Sequence, residues 1–271
     1  MANNLRLIYD NIVSSATVTS TAAQAEYPVS NIQNKSKSRV FRSTSLNFNI
    51  TFTWSSQKPI SSVILPHTNL TNNAIIRVYI YTNSTDASAS AIIGPVSASP
   101  FSYKTLSETG GYSFGGGSCA RVWFDQTYTC AKIMLQIADT TNVDGYVELA
   151  TAVVGDYWSP TYNTSFGIQA GYLDASEQLR TEAGELHTLT KYIYKTLSLE
   201  LQWLPPQDRT KFIDIVKTTG LKHPVFVSVF PNDSDIEKES LYQIYGNFTE
   251  QMLLTHPIFT KYVSNITIQE I

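Results

Sequence analysis

The stretch that most limits the fold is "NFNITFTW", residues 47–54. Phe48, Ile50, Phe52 and Trp54 alternate with Asn49, Thr51 and Thr53. Successive side chains of an extended chain point to opposite faces, so this pattern sets one face in a core and the other toward water. A helix would scatter the same four large residues around its circumference. Further short apolar runs recur at 5–9, 61–66, 74–81, 120–124, 132–138 and 146–155, with turn-forming residues between them. No helical pattern of useful length precedes residue 170. The spacing predicts an antiparallel sandwich or jelly roll over the first part of the chain.

Composition agrees. Only 15% of the 271 residues are charged, where about 25% is usual, and Ser, Thr and Asn stand in their place. Thr fits a pleated strand, while Ser and Asn fit turns. The apolar fraction of 42% still supplies a core. Residues 1–155 carry ten Lys/Arg and eight Asp/Glu, and residues 156–271 carry nine and fourteen. Neither part has the sustained positive charge that a nucleic-acid partner requires. No apolar run reaches the roughly 18 residues of a membrane-spanning helix, so no membrane insertion is expected. The opening "MANNLRLIYDN" lacks the apolar segment of a secretory signal and reads as an early strand. Synthesis in a cytoplasm, without export by the general secretory route, is therefore expected. Two cysteines, Cys119 and Cys130, do not make a disulfide framework; they are expected as small buried residues in neighbouring strands.

A boundary is expected near "GDYWSPTYNTSFG" (155–167), where aromatic and turn residues replace alternation. This gives a first domain over 1–158 and a second over 159–271. The second opens with an acid-rich piece (173–186) and continues through strands at 187–204, 223–231, 240–248 and 261–271. One helix, at about 207–219, interrupts them. Two prolines lead in, Asp208 stands where it can cap, Phe212, Ile213 and Val216 share a face, and Gly220 stops the helix. The fold class expected is mostly β, a sandwich followed by a β domain with one helix.

Chemistry of a catalytic kind is not evident. His67, His187, His223 and His256 are scattered, with no second ligand at metal spacing. The acids of "NDSDIEKE" (232–239) lack the glycine and final glutamate of a calcium loop and read as a solvated turn. Gly115, Gly116 and Gly117 are not followed by the Gly-Lys-Ser/Thr of a phosphate loop. No paired carboxylates can be placed in a groove. A non-enzymatic protein without a cofactor or metal is expected. Aromatic residues are more informative. Tyr103, Tyr112 and Phe114 sit in a polar, glycine-rich loop, where rings suit sugar stacking or a protein interface. Trp54, on the alternating face, and Trp123 are expected to be structural, with Trp123 closing the core.

The segment "YPVSNIQNKSKSRVFRSTSLNFNITFTWSSQKPISSVILPHTNL" resembles the opening half of a discoidin-like, or galactose-binding-like, β-sandwich. The matching positions are Asn31 and Asn34, Phe41-Arg42-Ser43, residues 48–54, and Ile60 to Leu65. "AKIMLQI" and "GYVELATAVVG", ending on Gly155, resemble the closing strands. The resemblance covers residues 5–158 and implies loops at one end that bind sugars or headgroups, and in many members a structural calcium. Asn34-Lys35 stand where the family carries the Asp-Gly of its calcium turn, which weighs against calcium here. Arg42 falls where the family places a residue that packs beneath the loops with a hydrogen-bonded head. Lys35, Lys37 and Arg39 are then on a loop, placed to meet an acidic neighbouring subunit.

Spaced residues over nearly the whole chain also resemble tailed-bacteriophage structural proteins. They are Tyr9-Asp10-Asn11, Gly155, Pro160, Tyr162-Asn163, Pro224-Val225, Pro231, Tyr245-Gly246 and Ile268-Gln269-Glu270. That resemblance implies a homo-oligomeric component of a phage tail, in the tip or baseplate region, contacting other tail proteins and the host surface. The virion tail would be its location. The alternative from another class is a carbohydrate-binding module that recognises a host-surface glycan.

Overall fold

The computed structural model describes residues 4–97, 118–233, 235–258 and 260–271. The chain divides into two compact units, Asp10–Tyr157, and Met1–Tyr9 together with Trp158–Ile271. The ligand or interface candidates Tyr103, Tyr112 and Phe114 lie outside the described residues.

Asp10–Tyr157 is an antiparallel β-sandwich. Its strands run in the order Phe41–Arg42, Glu148–Leu149, Asn47–Thr68, Ser118–Ala138, Ile75–Tyr81, Ala91–Ser97, and both Thr17–Ser20 and Val153–Gly155 also pair with Asn47–Thr68. The two longest strands organise everything else. Asn47–Thr68 and Ser118–Ala138 pair from Asn47↔Ala138 to Thr68↔Ser118. The sequence suggested two separate strands within each, because "SSQKP" and "DQTYT" look like turns. They are instead corners: the register shifts between Thr53 and Lys58 and again between Ile60 and Ser62. Extra residues on one strand and then on the other bend the ribbon without ending it. Pro59, which has no N–H to give, is tolerated beside such a bulge.

Folding the ribbon gives each half its own sheet. The first half pairs with Thr17–Ser20, and the matching half of Ser118–Ala138 pairs with Ile75–Tyr81. The second half of Asn47–Thr68 pairs with Val153–Gly155. The alternating face closes the core between them: Phe48, Ile50, Phe52 and Trp54 pack with Val63, Leu65, Ile76, Val78, Ile80, Ile133, Leu135 and Ile137. Each such side chain contributes about 1.5–3 kcal/mol on burial. Trp54 lies parallel to Phe52 (ring centroids 6.3 Å apart, 15° between planes), and its indole N–H donates to the carbonyl of Ile12 at 2.9 Å.

Two expectations change here. Trp123 does not close the core. Its neighbours Val122 and Phe124 are buried in it, so strand alternation turns Trp123 to the other face, where it is half-buried and edge-on to Tyr157 at 5.5 Å. Cys119 and Cys130 are both buried thiols, outside any disulfide, but on one strand, Ser118–Ala138, rather than on neighbours. Burial pushes the Cys130 thiol up from 9.0 to about 11.

The second unit is built on a seven-stranded sheet in the order Arg6–Ile8, Val225–Ser228, Gln243–Phe248, Lys261–Glu270, Ile193–Leu204, Gln169–Asp174, with Thr255–Ile258 also on Lys261–Glu270. The opening strand thus departs from the sequence reading. Arg6–Ile8 pairs with Val225–Ser228 and buries Leu5 and Leu7 with Leu197, Leu199, Val227 and Ile268. Nothing local in "LRLIY" marks a partner more than two hundred residues away.

Helix Pro206–Thr219 packs Phe212, Ile215 and Thr219 inward, while Ile213 is 39% exposed, so the buried stripe is rotated from the one expected. Pro205 occupies the cap position, and the Asp208 carboxylate instead accepts from the Thr161 N–H at 2.8 Å. Gly220 ends the helix at φ 53°, a left-handed value that a side chain would disfavour. The acids expected in a solvated turn form a short helix, Ile236–Leu241, capped by Asp235, and Glu239 is buried. Among the described residues no helix is long and apolar enough to cross a membrane.

Candidate functional site

The folded ribbon brings the chain segments after Phe41, after Thr68 and after Ala138 to one end of the sandwich. There Asp139 donates its N–H to Leu46 O at 2.8 Å, and Asn69 donates its own to Glu148 O at 3.3 Å. Side chains then lock the segments together. The Asp139 carboxylate is fully buried and accepts from the Thr71 N–H (2.8 Å), the Thr71 hydroxyl (2.5 Å) and the Asn142 amide (3.2 Å). Three donors offset the loss of water around that buried carboxylate. Asn69 spans the gap: its amide donates to Asp144 Oδ2 at 2.8 Å and Tyr146 O at 3.1 Å, and its Oδ1 accepts from the Glu148 N–H at 2.7 Å.

Beside this knot stands Arg42. It is the register partner of Glu148, so strand pairing alone sets their side chains on one face. Arg42 Nε donates to Glu148 Oε2 at 2.5 Å. The guanidinium lies 4.3 Å from the Tyr27 ring centroid and 4.8 Å from that of Tyr146. Burial alone would lower the Arg42 pKa; the hydrogen bond to Glu148 and its charge outweigh this, and the net direction is upward. Tyr27 and Tyr146 are half-buried, so each gives one face to the cation and keeps part of its surface in solvent.

The sequence-derived residues are placed as follows. Arg42 is at the centre of this end, with its stem packed and its head paired. Lys35, Lys37 and Arg39 follow the short turn Val29–Gln33; Lys35 and Arg39 are exposed and Lys37 is half-buried. The Asn31 amide closes that loop by donating to Val40 O at 2.8 Å. Trp54 is in the core and Trp123 on the outer face. Tyr103, Tyr112 and Phe114 belong to the undescribed segment, whose described flanks Ser97 and Ser118 pair with Ile75 and Thr68 at the same end.

Sequence reasoning missed Tyr27, Asn69, Asp144, Tyr146 and Glu148. Only "TTNVDGY" carried a signal, as a turn rich in Asn, Asp and Gly; the convergence itself needs contacts across more than a hundred residues. Among the described residues, no group of three or more His, Cys, Asp or Glu is arranged to hold a metal ion.

No protein-family model matches the sequence, and none of the curated proteins matches it. Solved structures do. A family 32 carbohydrate-binding module from Clostridium perfringens NanJ, in complex with galactose, shares 14% identity at a TM-score of 0.38, covering 57% of this chain and 99% of its own. A Streptococcus pneumoniae fucose binding module shares 10% at 0.37, covering 54% and 95%. A chitosan-binding module of a Paenibacillus chitosanase/glucanase shares 12% at 0.39, covering 54% and 99%. At TM-scores below 0.5 nothing further is argued from the likeness. That the chain is mostly β, and built on an antiparallel sandwich, rests on the strand pairing described above.

Proposed function

We propose that the chain is a non-catalytic binding protein whose Asp10–Tyr157 sandwich recognises carbohydrate at the end around Tyr27, Arg42 and Tyr146. The observation that carries this reading is the pair of half-buried tyrosine rings that share one guanidinium, next to Asn69 and Asp144. A sugar offers a C–H face to an aromatic ring and a rim of hydroxyls to fixed polar groups, and rings and amides already locked by internal bonds lose little freedom on binding. Arg42 supplies the positive charge beside Glu148 that a cation would otherwise supply, so the end is proposed to work without calcium or any other cofactor. A glycan-array screen of the full chain tests the reading. Binding to a restricted set of glycans supports it, and a blank array with folded protein refutes it.

A second reading is compatible with the first. The chain is proposed to be a structural component of a bacteriophage tail, at the tip or baseplate, made in the host cytoplasm, working as a homo-oligomer among other tail proteins and presenting the sandwich to the host surface. The observation favouring assembly is the hairpin Glu177–Arg180 with Leu186–Leu189, all of whose residues are exposed. Gold-labelled antibody on phage particles tests it: label at the tail tip supports the reading, and particles free of label refute it.

A further inference from the structure

The seven-stranded sheet ends on Gln169–Asp174, whose inner side pairs with Ile193–Leu204 in unbroken register from Gln169↔Ser198 to Asp174↔Ile193. Among the described residues no strand pairs with its outer side. Two other edges are guarded. Arg6–Ile8, at the opposite end of the same sheet, is closed by the Leu7↔Trp158 bridge. Ala91–Ser97, at the edge of the sandwich, holds Pro95, carries Gly94 at φ 105° and shifts register against Ile75–Tyr81. Gln169–Asp174 has no proline and no bulge, and the chain from Tyr157 to Leu173 is uncharged. A regular, uncharged edge is a template for another strand.

Gly171 sharpens the point. It sits inside the strand, its φ is not left-handed, and a Cβ there would meet nothing within 4 Å. No turn, bulge or crowding within the chain calls for glycine at this position. Glycine weakens a strand, and where no bend requires it, it marks the close approach of another backbone or side chain. Leu173, on the same face by alternation, is 48% exposed, and Phe166, just before the strand, is fully exposed.

We infer that Gln169–Asp174 pairs antiparallel with the same strand of a second copy, continuing the sheet across a two-fold axis centred on Tyr172. The inference rests on the assembly reading and deepens it by naming the partner and its surface.

The fit of the strand to itself identifies the occupant. A two-fold axis normal to the sheet keeps each face on its own side, so residues of equal parity pair across it. Centred on Tyr172, the axis sets that residue beside the partner's Tyr172, Gly171 opposite the partner's Leu173, and Ala170 opposite the partner's Asp174. The leucine fills the open space over the glycine, twice per dimer, and no like charges meet. Before Gln169 the chain runs beside the partner's chain beyond Asp174, which leads into the hairpin arm Glu177–Arg180/Leu186–Leu189. Phe166 is thereby brought toward an arm whose Leu179, Leu186 and Leu189 are exposed, so apolar groups of both copies leave solvent. The contact is isologous; it closes at two copies and leaves neither of the paired edges open.

Sedimentation velocity of the full chain tests this. The wild type is expected to sediment as a dimer at micromolar concentration, with little change as salt rises, because the pairing strands are nearly uncharged. Gly171→Val separates the inference from a structural role for the glycine. The chain itself leaves room for the side chain, so the melting temperature at monomeric dilution is expected to stay level or rise, while dimerisation weakens at least about tenfold. Tyr172→Lys sets two like charges at the axis and is expected to weaken dimerisation comparably. Tyr172→Cys is expected to form a covalent dimer under mild oxidation, because identical residues meet only at the axis, and Leu173→Cys is not. A wild type that stays monomeric overturns the inference and leaves the edge to a strand of a different protein. A Gly171→Val chain that dimerises like wild type overturns it too, as does a dimeric Tyr172→Cys chain that stays uncrosslinked. Circular dichroism verifies the folding of each variant, and Gly171→Val carries the test where Tyr172→Lys disturbs it. Antibody label on phage particles is read separately: a dimer with label-free particles keeps this inference and refutes the tail reading, and a monomeric wild type with label at the tip does the reverse.

Discussion

Arg42 and Glu148 face each other across two short antiparallel strands, with Nε 2.5 Å from Oε2 and the guanidinium over the rings of both Tyr27 and Tyr146. The pair ties the first and last parts of the sandwich together. Only 9% of the Glu148 side chain and 24% of the Arg42 side chain reach solvent, so each ion depends on the other. Arg42→Ala removes the Nε–H that the nearly buried Glu148 carboxylate accepts and the cation's contact with two rings. A loss of about 2–3 kcal/mol is expected, below that of a fully buried pair because Arg42 is partly wet. Urea unfolding of the variant checks it, and Glu148→Gln, which keeps an acceptor for Nε, is expected to lose less.

Trp54 combines a packed ring with a part-buried hydrogen bond to Ile12 O. Trp54→Phe keeps most of the apolar area and removes the indole donor, while the Ile12 carbonyl still accepts from the Ser15 hydroxyl at 2.9 Å, for an expected loss of about 0.5–1.5 kcal/mol. Trp54→Ala adds a cavity, and the expected loss rises to about 3–5 kcal/mol. The two unfolding midpoints, measured together, separate the hydrogen bond from the volume.

Gly246 answers for the Tyr-Gly step at 245–246. A Cβ there would lie 1.9 Å from the carbonyl oxygen of Gln269, backbone that cannot move without parting Gln243–Phe248 from Lys261–Glu270. Gly246→Ala is expected to destabilise the chain by more than about 3 kcal/mol or to prevent folding. Thermal melting against the wild type reads the effect; an unchanged midpoint contradicts the close approach.

The Cys130 thiol titrates near 9.0 when unfolded and at about 11 in the fold, because burial disfavours the thiolate. Its stabilising contribution is therefore whole below pH 9 and is lost as pH rises from 9 through 11. Two pH units correspond to about 2.7 kcal/mol at most. Unfolding free energies of wild type and Cys130→Ala across this range are expected to converge toward alkaline pH. Parallel curves contradict the burial of the thiol.

The β content and the alternating core of the sandwich were legible because period-two patterning is local: Phe48 to Trp54 announce their face without help from the rest of the chain. The continuity of Asn47–Thr68 was not, since Ser55 to Pro59 have the composition of a turn and only the partner strand shows that the ladder runs on through bulges. Ile215 replaced Ile213 on the buried face of the helix because the sequence shows an apolar pair but not which of its members meets the sheet. At the candidate site, Arg42 was singled out in the sequence by a resemblance. Tyr27, Tyr146 and Glu148 were not, because what joins them is a register between strands far apart in sequence. The arm read as an acid-rich polar piece, and its leucines acquire meaning only once the fold leaves them uncovered.

The most direct test of the central claim is titration calorimetry of the strongest array glycan into wild type and Tyr146→Ala, with folding of both verified by circular dichroism. The account predicts saturable binding by the wild type and loss of at least about tenfold in affinity on removal of the ring, the scale of one base-type or sugar-type stacking contact. A variant that binds as well as wild type, or a wild type that releases no heat with any sugar at millimolar concentration, would contradict recognition at this end of the sandwich.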